Sequence, residues 1–444
     1  MVKQAQGGDE TAKRKAGSVG FATCTALVVA NMVGTGIFTS LGFQLAEIPS
    51  QPAILLIWAL GGLLALCGAF CYAELSAALP RSGGEYHFLG KIYHPAVGFM
   101  AGIVSMVAGF AAPVAASAMA FGSYAQGVWP ELSPRTASVA VVVLVMLVHL
   151  RSLKVSSVFQ VVFTLLKIGL VLFLTYALFG RPAVAAAPAA TWSSYVLTAP
   201  FAVSLIFTLY AYSGWNAATY ILGEVRTPGR VIPAALTVGT LLVAAMYLGL
   251  NAAFLHAAPA ESMAGQVNVA QVAAESAFGQ GGGRLVAAVI ALGLVSAISA
   301  MIWAGPRVAM VLGEDYPRGF GWLQARTAAG IPARAVIAQS ALTLLFLLTS
   351  TFEQVVIYTL FALTACSFLA VLGVIVLRCR EPQLVRPFRV PLYPLTPLLF
   401  LAITAFAIFY TATVKPFEAC CGALTLLAGL GIYAFVARRQ DTEQ

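Results

Sequence analysis

The chain has 444 residues, is 60% hydrophobic and carries charged side chains at only 9% of its positions, with a mean hydropathy of +0.90. This composition excludes an ordinary soluble domain and indicates an all-α protein that crosses a membrane many times. The formal net charge of +9 follows from orientation in the membrane, because cytoplasmic loops are rich in Lys and Arg. No nucleic-acid partner is needed to account for it.

About twelve apolar runs are long enough, or nearly so, to be transmembrane helices, because a bilayer core about 30 Å thick needs roughly 20 apolar residues. They cover residues 21–45, 53–79, 97–122, 137–150, 158–178, 200–222, 232–255, 285–308, 335–349, 354–377, 397–414 and 419–436. The runs at 137–150 and 335–349 are short for a span. The first run follows a basic, polar tail without a cleavage site, which predicts a retained helix and not a secretory signal.

Charge placement supports an even number of spans with both termini in the cytoplasm. With that orientation, the Lys and Arg residues outside the membrane lie almost entirely on the cytoplasmic side, as the positive-inside rule requires. The exceptions are Arg135, Arg181, Arg284 and Lys415. A wrongly assigned helix would reverse every later loop and remove this asymmetry.

Two of the runs carry helix-breaking or polar residues at membrane depth. The first contains Gly34 and Gly36 in its middle, and the sixth has aromatic, hydroxyl, glycine and amide groups over residues 207–216. Glycine in a membrane helix is often a close-packing contact, but breaks five helices apart are typical of two inverted five-helix repeats. We therefore predict two broken helices that meet at the middle of the membrane.

A broken helix exposes unpaired N–H groups where one half begins and unpaired C=O groups where the other half ends. The N–H end suits a carboxylate and the C=O end suits an ammonium group. Such a site fits an amino acid, and the absence of acidic residues from both broken segments favours a neutral one. We expect a bulky replacement of Gly36 to abolish binding while leaving the fold intact.

Lys167 is the one charged residue of the run at 158–178. An ammonium group at membrane depth costs about 2.5–3.5 kcal/mol even on lenient insertion scales. Such a charge is expected to meet carbonyls, water or a solute inside a helical bundle, which makes Lys167 a candidate functional residue.

The sequence shows no pattern of enzyme chemistry. The seven cysteines lie in or beside apolar runs and read as small packing residues. The histidines are scattered, without metal-ligand spacing. We expect no catalytic residues, no metal site and no cofactor.

Six motifs in order resemble the amino acid–polyamine–organocation (APC) superfamily, and within it the bacterial relatives of the L-type amino acid transporters. They are GTGIF at 34–38, PRSGGEY at 80–86, SGWN at 213–216, ExxxPxRxxP at 224–233, GPR at 305–307 and RPFRVPLYP at 386–394. The resemblance implies a LeuT-like core of 5+5 inverted repeats with broken helices 1 and 6, plus two peripheral helices. The implied parts are a tail at 1–17, repeats at 18–180 and 195–380, peripheral helices at 391–437 and a tail at 438–444.

The resemblance also implies a substrate site. The backbone of Gly34, Thr35 and Gly36 would hold the substrate carboxylate, and Tyr210 would be an aromatic lid, or else an ordinary packing residue. Asn216 would be a polar group below the lid, or else a structural hydrogen-bonding residue. The amino group would be received by the carbonyls of Met32, Val33, Tyr210, Ala211 and Ser213. Gly214, which adjoins them in the second break, is included in the site.

In sodium-independent members of this fold, a lysine of the fifth helix replaces a sodium ion between the first and eighth helices. The surroundings of Lys167, with Gln160 and Thr164, are similar to that group, and its partners would be Ser296 or Ser299. Proton coupling through Lys167 and a purely structural contact remain alternatives.

The sequence-based hypothesis is thus a sodium-independent amino acid exchanger of a bacterial cytoplasmic membrane that works by alternating access, with amino acids and membrane lipid as its partners. A proton-coupled symporter and an amino-acid-binding receptor are the alternatives. The loop at 128–134 lacks the cysteine through which animal L-type transporters join a heavy chain, so no disulfide-linked partner is expected. Glu74 is a candidate for an inner gate near Arg81, or else a charge at a helix end.

Overall fold

A computed structural model describes residues 19–81, 83–151, 156–184, 192–327 and 331–441, with only the backbone described at 156–161 and 437–441. The predicted tail at 1–17, Ser82 of the PRSGGEY motif, the Gln160 side chain and residues 442–444 lie outside the described residues. Within the described ranges the chain is helical, and its one β-type pairing is an isolated bridge between Val19 and Val225.

The described chain consists mainly of α-helices. In chain order they are α1 (Phe21–Met32), α2 (Gly36–Glu47), α3 (Gln51–Ala78), α4 (Gly84–Ile92), α5 (Pro95–Val104), α6 (Ala112–Val128), α7 (Pro134–Arg151), α8 (Ser156–Phe179), α9 (Ala199–Tyr212), α10 (Pro228–Ala257), α11 (Ala260–Met263), α12 (Val269–Asp315), α13 (Pro317–Phe320), α14 (Ala333–Thr349), α15 (Phe352–Arg380), α16 (Leu395–Val414) and α17 (Pro416–Asp441). A π-helical turn (Ser105–Ala111) joins α5 to α6, and 3₁₀ segments cover Trp192–Ser194, Ala217–Glu224 and Gly321–Gln324.

The described residues form 10 helices that are long and apolar enough to cross a membrane, counting α1 with α2 and α5 with α6 as single spans. The protein is therefore an integral, multi-pass membrane protein. The two other predicted spans correspond to α9 with the 3₁₀ segment after it, and to α14, which is apolar but has only 17 residues. A total of twelve spans stays a prediction.

The first span is interrupted in its middle. The helix α1 ends at Met32, and α2 begins at Gly36 after Val33, Gly34 and Thr35. Glycine favours such a break because it costs about 1 kcal/mol in a helix relative to alanine. The break lies inside the protein, where Val33 is fully buried and Thr35 is 5% exposed.

The helix α9 also ends at membrane depth. It stops at Tyr212, Ser213 takes an extended ψ of 152°, and Gly214 follows with a φ of +97°. That φ lies in the left-handed region, which a residue with a Cβ adopts only under strain. The chain continues as the 3₁₀ segment from Ala217 to Glu224.

The interrupted helices lie inside the bundle. The helix α9 packs against α2, and α10 packs against both α3 and α1. On the other side, α12 packs along α6 and α8. This arrangement brings both interruptions and the middle of α8 together.

Candidate substrate site

The carbonyl groups that end α1 already accept hydrogen bonds from the protein. The Met32 carbonyl accepts from the Tyr247 hydroxyl at 2.5 Å and from the Gly34 N–H at 2.8 Å. The Val33 carbonyl accepts from the Lys167 ammonium at 2.8 Å. These two carbonyls, predicted as acceptors for a substrate amino group, are thus largely engaged in holding the break.

The beginning of α2 differs, because its first N–H groups have no partner. In the described part of the chain, no oxygen accepts a hydrogen bond from the backbone N–H groups of Thr35, Gly36 or Ile37. Thr35 is 5% exposed and Ile37 is fully buried. Buried N–H groups without partners are rare and costly, and at a helix N-terminus they form an anion-binding site.

The end of α9 offers the complementary groups. The Tyr210 carbonyl accepts from the Ser213 N–H at 3.1 Å and from the Ser213 hydroxyl at 2.7 Å. In the described residues no donor reaches the carbonyls of Ala211 and Ser213. Of the predicted acceptors for an amino group, Ala211 and Ser213 are therefore the open ones.

The two interruptions are in direct contact. The Thr35 and Tyr210 hydroxyls lie 2.9 Å apart. A Cβ on Gly36 would lie 2.4 Å from the Cα of Ala211, and a Cβ on Gly214 would lie 2.8 Å from the Asn31 carbonyl oxygen. Only glycine permits these approaches, so the two interruptions lie directly against each other.

The close approach at Gly36 bears on the expected effect of a bulky replacement at this position. A bulky side chain there would meet the backbone of α9 and displace it, so the expectation that such a replacement leaves the fold intact is not supported by this packing. The space at Gly34 is different, since a Cβ there meets only the Met32 carbonyl oxygen, at 3.8 Å.

Lys167 joins the first interruption to α12. Its side chain is buried, with 6% exposure, and a Cβ on Gly293 of α12 would lie 3.1 Å from its Cγ. Ser296 is buried one turn further along α12. Ser299, the other expected partner, lies with its hydroxyl 2.9 Å from His149 Nε2.

Asn216 and Tyr210 occupy opposite ends of the second interruption. Tyr210 is 6% exposed and its hydroxyl is held by Thr35. The Asn216 carbonyl accepts from the N–H and the hydroxyl of Thr219, at 2.9 and 2.8 Å, and its side chain interacts with the Tyr220 hydroxyl. Asn216 therefore also has a structural role at the start of the 3₁₀ segment.

A buried polar network supports α2 against α9 and was not anticipated from the sequence. Gln44 donates to the Ser204 carbonyl at 2.9 Å and to the Thr208 hydroxyl at 2.7 Å, and accepts from the Trp58 indole N–H at 2.9 Å. Tyr247, which holds the Met32 carbonyl, was missed as well. The available signal was the presence of these polar side chains within predominantly apolar runs.

Three aromatic rings stack on one another between α2, α9 and α15. Phe43 stacks on Phe207 with 5.2 Å between ring centroids and on Phe352 with 5.5 Å. The three rings come from α2, α9 and α15, so this stack links both interrupted spans to a third helix.

The partners of Glu74 come from the second half of the chain. Its carboxylate accepts from Arg378 at 2.8 and 2.5 Å and from the Val390 N–H at 2.6 Å. Arg386 lies 3.5 Å away. Glu74 thus ties α3 to α15 and to the connection before α16.

An open groove of about 430 Å³ lies elsewhere, at the end of α6. Its lining residues are Ser123, Gln126, Gly127, Pro130 and residues 265–268. None of the predicted substrate-binding residues belongs to it.

Residues 19–419 match the family model described as "Amino acid permease". The chain belongs to the amino acid permease family, within the APC superfamily. Members of this family are transporters, so the prediction that the protein is not an enzyme is confirmed. The match spans α1 to the first turn of α17.

Three relatives illustrate the likeness over nearly the whole chain. The serine/threonine exchanger SteT of Bacillus subtilis is 27% identical over 95% of this chain and 97% of its own length. The Asc-type amino acid transporter 1 of Mus musculus is 26% identical over 94% of this chain and 80% of its own. The b(0,+)-type amino acid transporter 1 of Homo sapiens is 26% identical over 94% of this chain and 87% of its own length. This permease is therefore an amino acid transporter of the membrane.

Proposed function

We propose that this permease carries neutral L-amino acids across a bacterial cytoplasmic membrane by sodium-independent exchange. The observation that carries the proposal is the meeting of the two interruptions. The unpaired N–H groups of Thr35, Gly36 and Ile37 belong to one interruption, and the unpaired carbonyls of Ala211 and Ser213 belong to the other, which lies directly against it.

This pair of backbone ends suits a solute with a carboxylate and an ammonium group on one carbon. The N–H groups and the positive end of the α2 dipole attract the carboxylate, and the carbonyls of α9 attract the ammonium group. No acidic side chain lies within either interruption, so the substrate side chain is neutral. We also assign substrate-binding roles to Gly34, Gly214, Asn216 and the side chain of Tyr210. The carbonyl groups of Met32, Val33 and Tyr210 would instead stabilise the interrupted backbone.

Exchange is supported by the kind of relatives the chain has. SteT is named a serine/threonine exchanger, and it covers the chain almost end to end. Lys167 supports sodium independence, because its ammonium group already occupies the place beside the Val33 carbonyl where a cation would otherwise sit. A fixed positive charge there needs no ion from solution.

The finer architecture belongs to the same proposal. We assign twelve spans, with repeats at 18–180 and 195–380, peripheral helices at 391–437, and tails at 1–17 and 438–444 on the cytoplasmic side. Alternating access would then expose the region between the interruptions first to one face of the membrane and then to the other. A disulfide-linked heavy chain is not part of this assignment, since the connection between α6 and α7 has no cysteine.

Two other functions remain as alternatives. A proton-coupled symporter would use Lys167 as the proton-binding group, because its burial lets it lose its proton more readily than a solvated lysine does. A receptor that binds amino acids without moving them would need a signalling output.

Uptake of radiolabelled amino acids into proteoliposomes tests the proposal. We expect uptake only when unlabelled amino acid is present inside, with no change when sodium is replaced by choline. Uptake into empty vesicles driven by an imposed pH gradient would instead favour the symporter. Binding without any uptake under either condition would favour the receptor.

A further inference from the structure

Glu85 is a buried carboxyl group outside the candidate substrate site. It lies in α4, is 3% exposed, and comes from the PRSGGEY motif. Its Oε1 accepts a short hydrogen bond from the Tyr72 hydroxyl and another, at 3.1 Å, from the Ser367 hydroxyl. No donor in the described chain reaches Oε2, which leaves that oxygen open to a proton.

Among the described residues, no positive charge acts on Glu85 to keep it ionised. The helices α5 and α15 pack against α4; α5 has no titratable side chain, and α15 contributes Cys366 to this region. The cations of α15 are engaged elsewhere, Arg378 with Glu74 and Arg380 with the Ile92 carbonyl. The titratable groups that face Glu85 are Tyr72, Tyr220 and Cys366.

Burial without a cationic partner favours the protonated acid. Removal from water raises the pKa of Glu85 above the usual range of a glutamate, against the opposing effect of the Tyr72 and Ser367 hydrogen bonds. The nearby cations Arg81 and Lys91 are both exposed. Together with burial, their charges lower the pKa of His87.

Glu85 is enclosed by residues of the second interruption. The Tyr220 ring lies against Gly84, where an added Cβ would be 2.6 Å from Cε1 of that ring. Trp215 packs edge-on against Tyr72 with 4.7 Å between ring centroids. Tyr220 also interacts with the side chains of Asn216 and of Ser105 in the π-helical turn. The segment that ends the substrate region therefore also shields Glu85 from water.

We propose that Glu85 is a proton-binding site that couples proton occupancy to the packing of residues 213–224 after the second interruption. With a proton on Oε2, the carboxyl group is neutral and the enclosed arrangement is stable. When Tyr220 and Trp215 move away, water reaches Glu85, and the proton passes from Oε2 to that water. This inference rests on the proposed transport function, in which the segment at 213–224 moves.

The pH dependence has a definite sign. A group whose pKa is raised in the folded state stabilises that state fully below the ordinary glutamate pKa of about 4.3, and this stabilisation is lost as the pH rises through the raised value. The ratio of enclosed to opened protein should thus fall by up to tenfold per pH unit within that window. In the proposed topology, α4 lies on the cytoplasmic side. A higher cytoplasmic pH should therefore favour the movement of Tyr220 and Trp215 away from Glu85.

Two measurements on the purified full chain test the proposal. In detergent, we expect the Tm of the native protein to fall relative to that of Glu85→Gln as the pH rises from 5 to 8, because the amide cannot ionise. In proteoliposomes, we expect exchange to rise with internal pH at fixed external pH, and Glu85→Gln to remove that dependence. Glu381→Gln, at an exposed carboxylate, serves as the control and should keep the native profile.

Tyr72→Phe gives an independent test in case Glu85→Gln does not fold. Loss of the hydroxyl that bonds the carboxylate should move the pH midpoint upward in both measurements. Superimposable pH profiles of Glu85→Gln and native protein, or an unmoved midpoint in Tyr72→Phe, would overturn the proposal. The stability measurement needs no transport, so it separates failure of the proton site from failure of the exchange function.

Discussion

At the scale of single residues, the site is built from backbone groups whose availability depends on the side chains beside them. Tyr247 and Lys167 occupy the carbonyls of Met32 and Val33, which leaves the carbonyls of α9 as acceptors. The motifs around Gly34 and Gly214 predicted where the chain breaks. They did not predict which carbonyls are taken, because that depends on α10 and α8, which come from distant parts of the sequence.

Gly34 and Gly36 give a matched pair of substitutions. We expect Gly36→Ala to destabilise the protein and remove amino acid binding, since its Cβ would lie 2.4 Å from the Ala211 backbone. We expect Gly34→Ala to keep the native Tm, because its Cβ meets only one atom, at 3.8 Å. Its methyl group should still weaken binding by crowding the free N–H groups. Thermal unfolding with and without amino acid measures both effects.

Equal Tm values for the two alanine variants would contradict the close approach of α2 and α9. Native affinity in Gly34→Ala would remove that residue from the site.

At the scale of helices, hydropathy and charge were sufficient to predict most of the spans. The ends of α3, α15 and α16 lie within a few residues of the predicted ones, because long apolar runs have few alternatives in a membrane. The contacts between helices were harder to predict from the sequence. The sequence made Glu74 a candidate for an inner gate near the Arg81 loop, but it did not reveal the partners Arg378 and Arg386, which lie more than 300 positions away.

The Glu74 cluster predicts a large stability effect at one helix junction. Glu74 is 3% exposed and its partner Arg386 is 7% exposed, so Glu74→Ala leaves a buried guanidinium group without its partner. Breaking a buried pair in this way costs about 3–5 kcal/mol. The control is Glu353→Ala, whose pair with Lys415 is 36% and 32% exposed and contributes less than about 1 kcal/mol. Denaturant unfolding in detergent compares the two.

A stability loss of the same size in both variants would show that burial does not set the strength of these ion pairs. Native stability of Glu74→Ala would show that the connection before α16 is held by other contacts.

At the scale of the whole molecule, the described helices place two interruptions, one buried lysine and one buried carboxyl group around a common interior. The family match covers this interior completely, and the relatives include exchangers and transporters of amino acids. The sequence predicted the two breaks and singled out the lysine, but it did not predict that the carboxyl group of Glu85 is buried. The substrate side chain was beyond prediction, because the residues that would surround it lie on helices whose facing depends on packing.

The central claim is that the unpaired N–H groups of α2 and the unpaired carbonyls of α9 bind the two charged ends of an amino acid. Isothermal titration of the purified protein tests it most directly, with an amino acid that stabilises the protein compared with its carboxamide and its N-acetyl derivative. We expect at least a hundredfold weaker binding for each derivative, since each loses one charge-assisted contact worth about 3 kcal/mol in a buried site. Equal affinity for the amino acid and either derivative would contradict it.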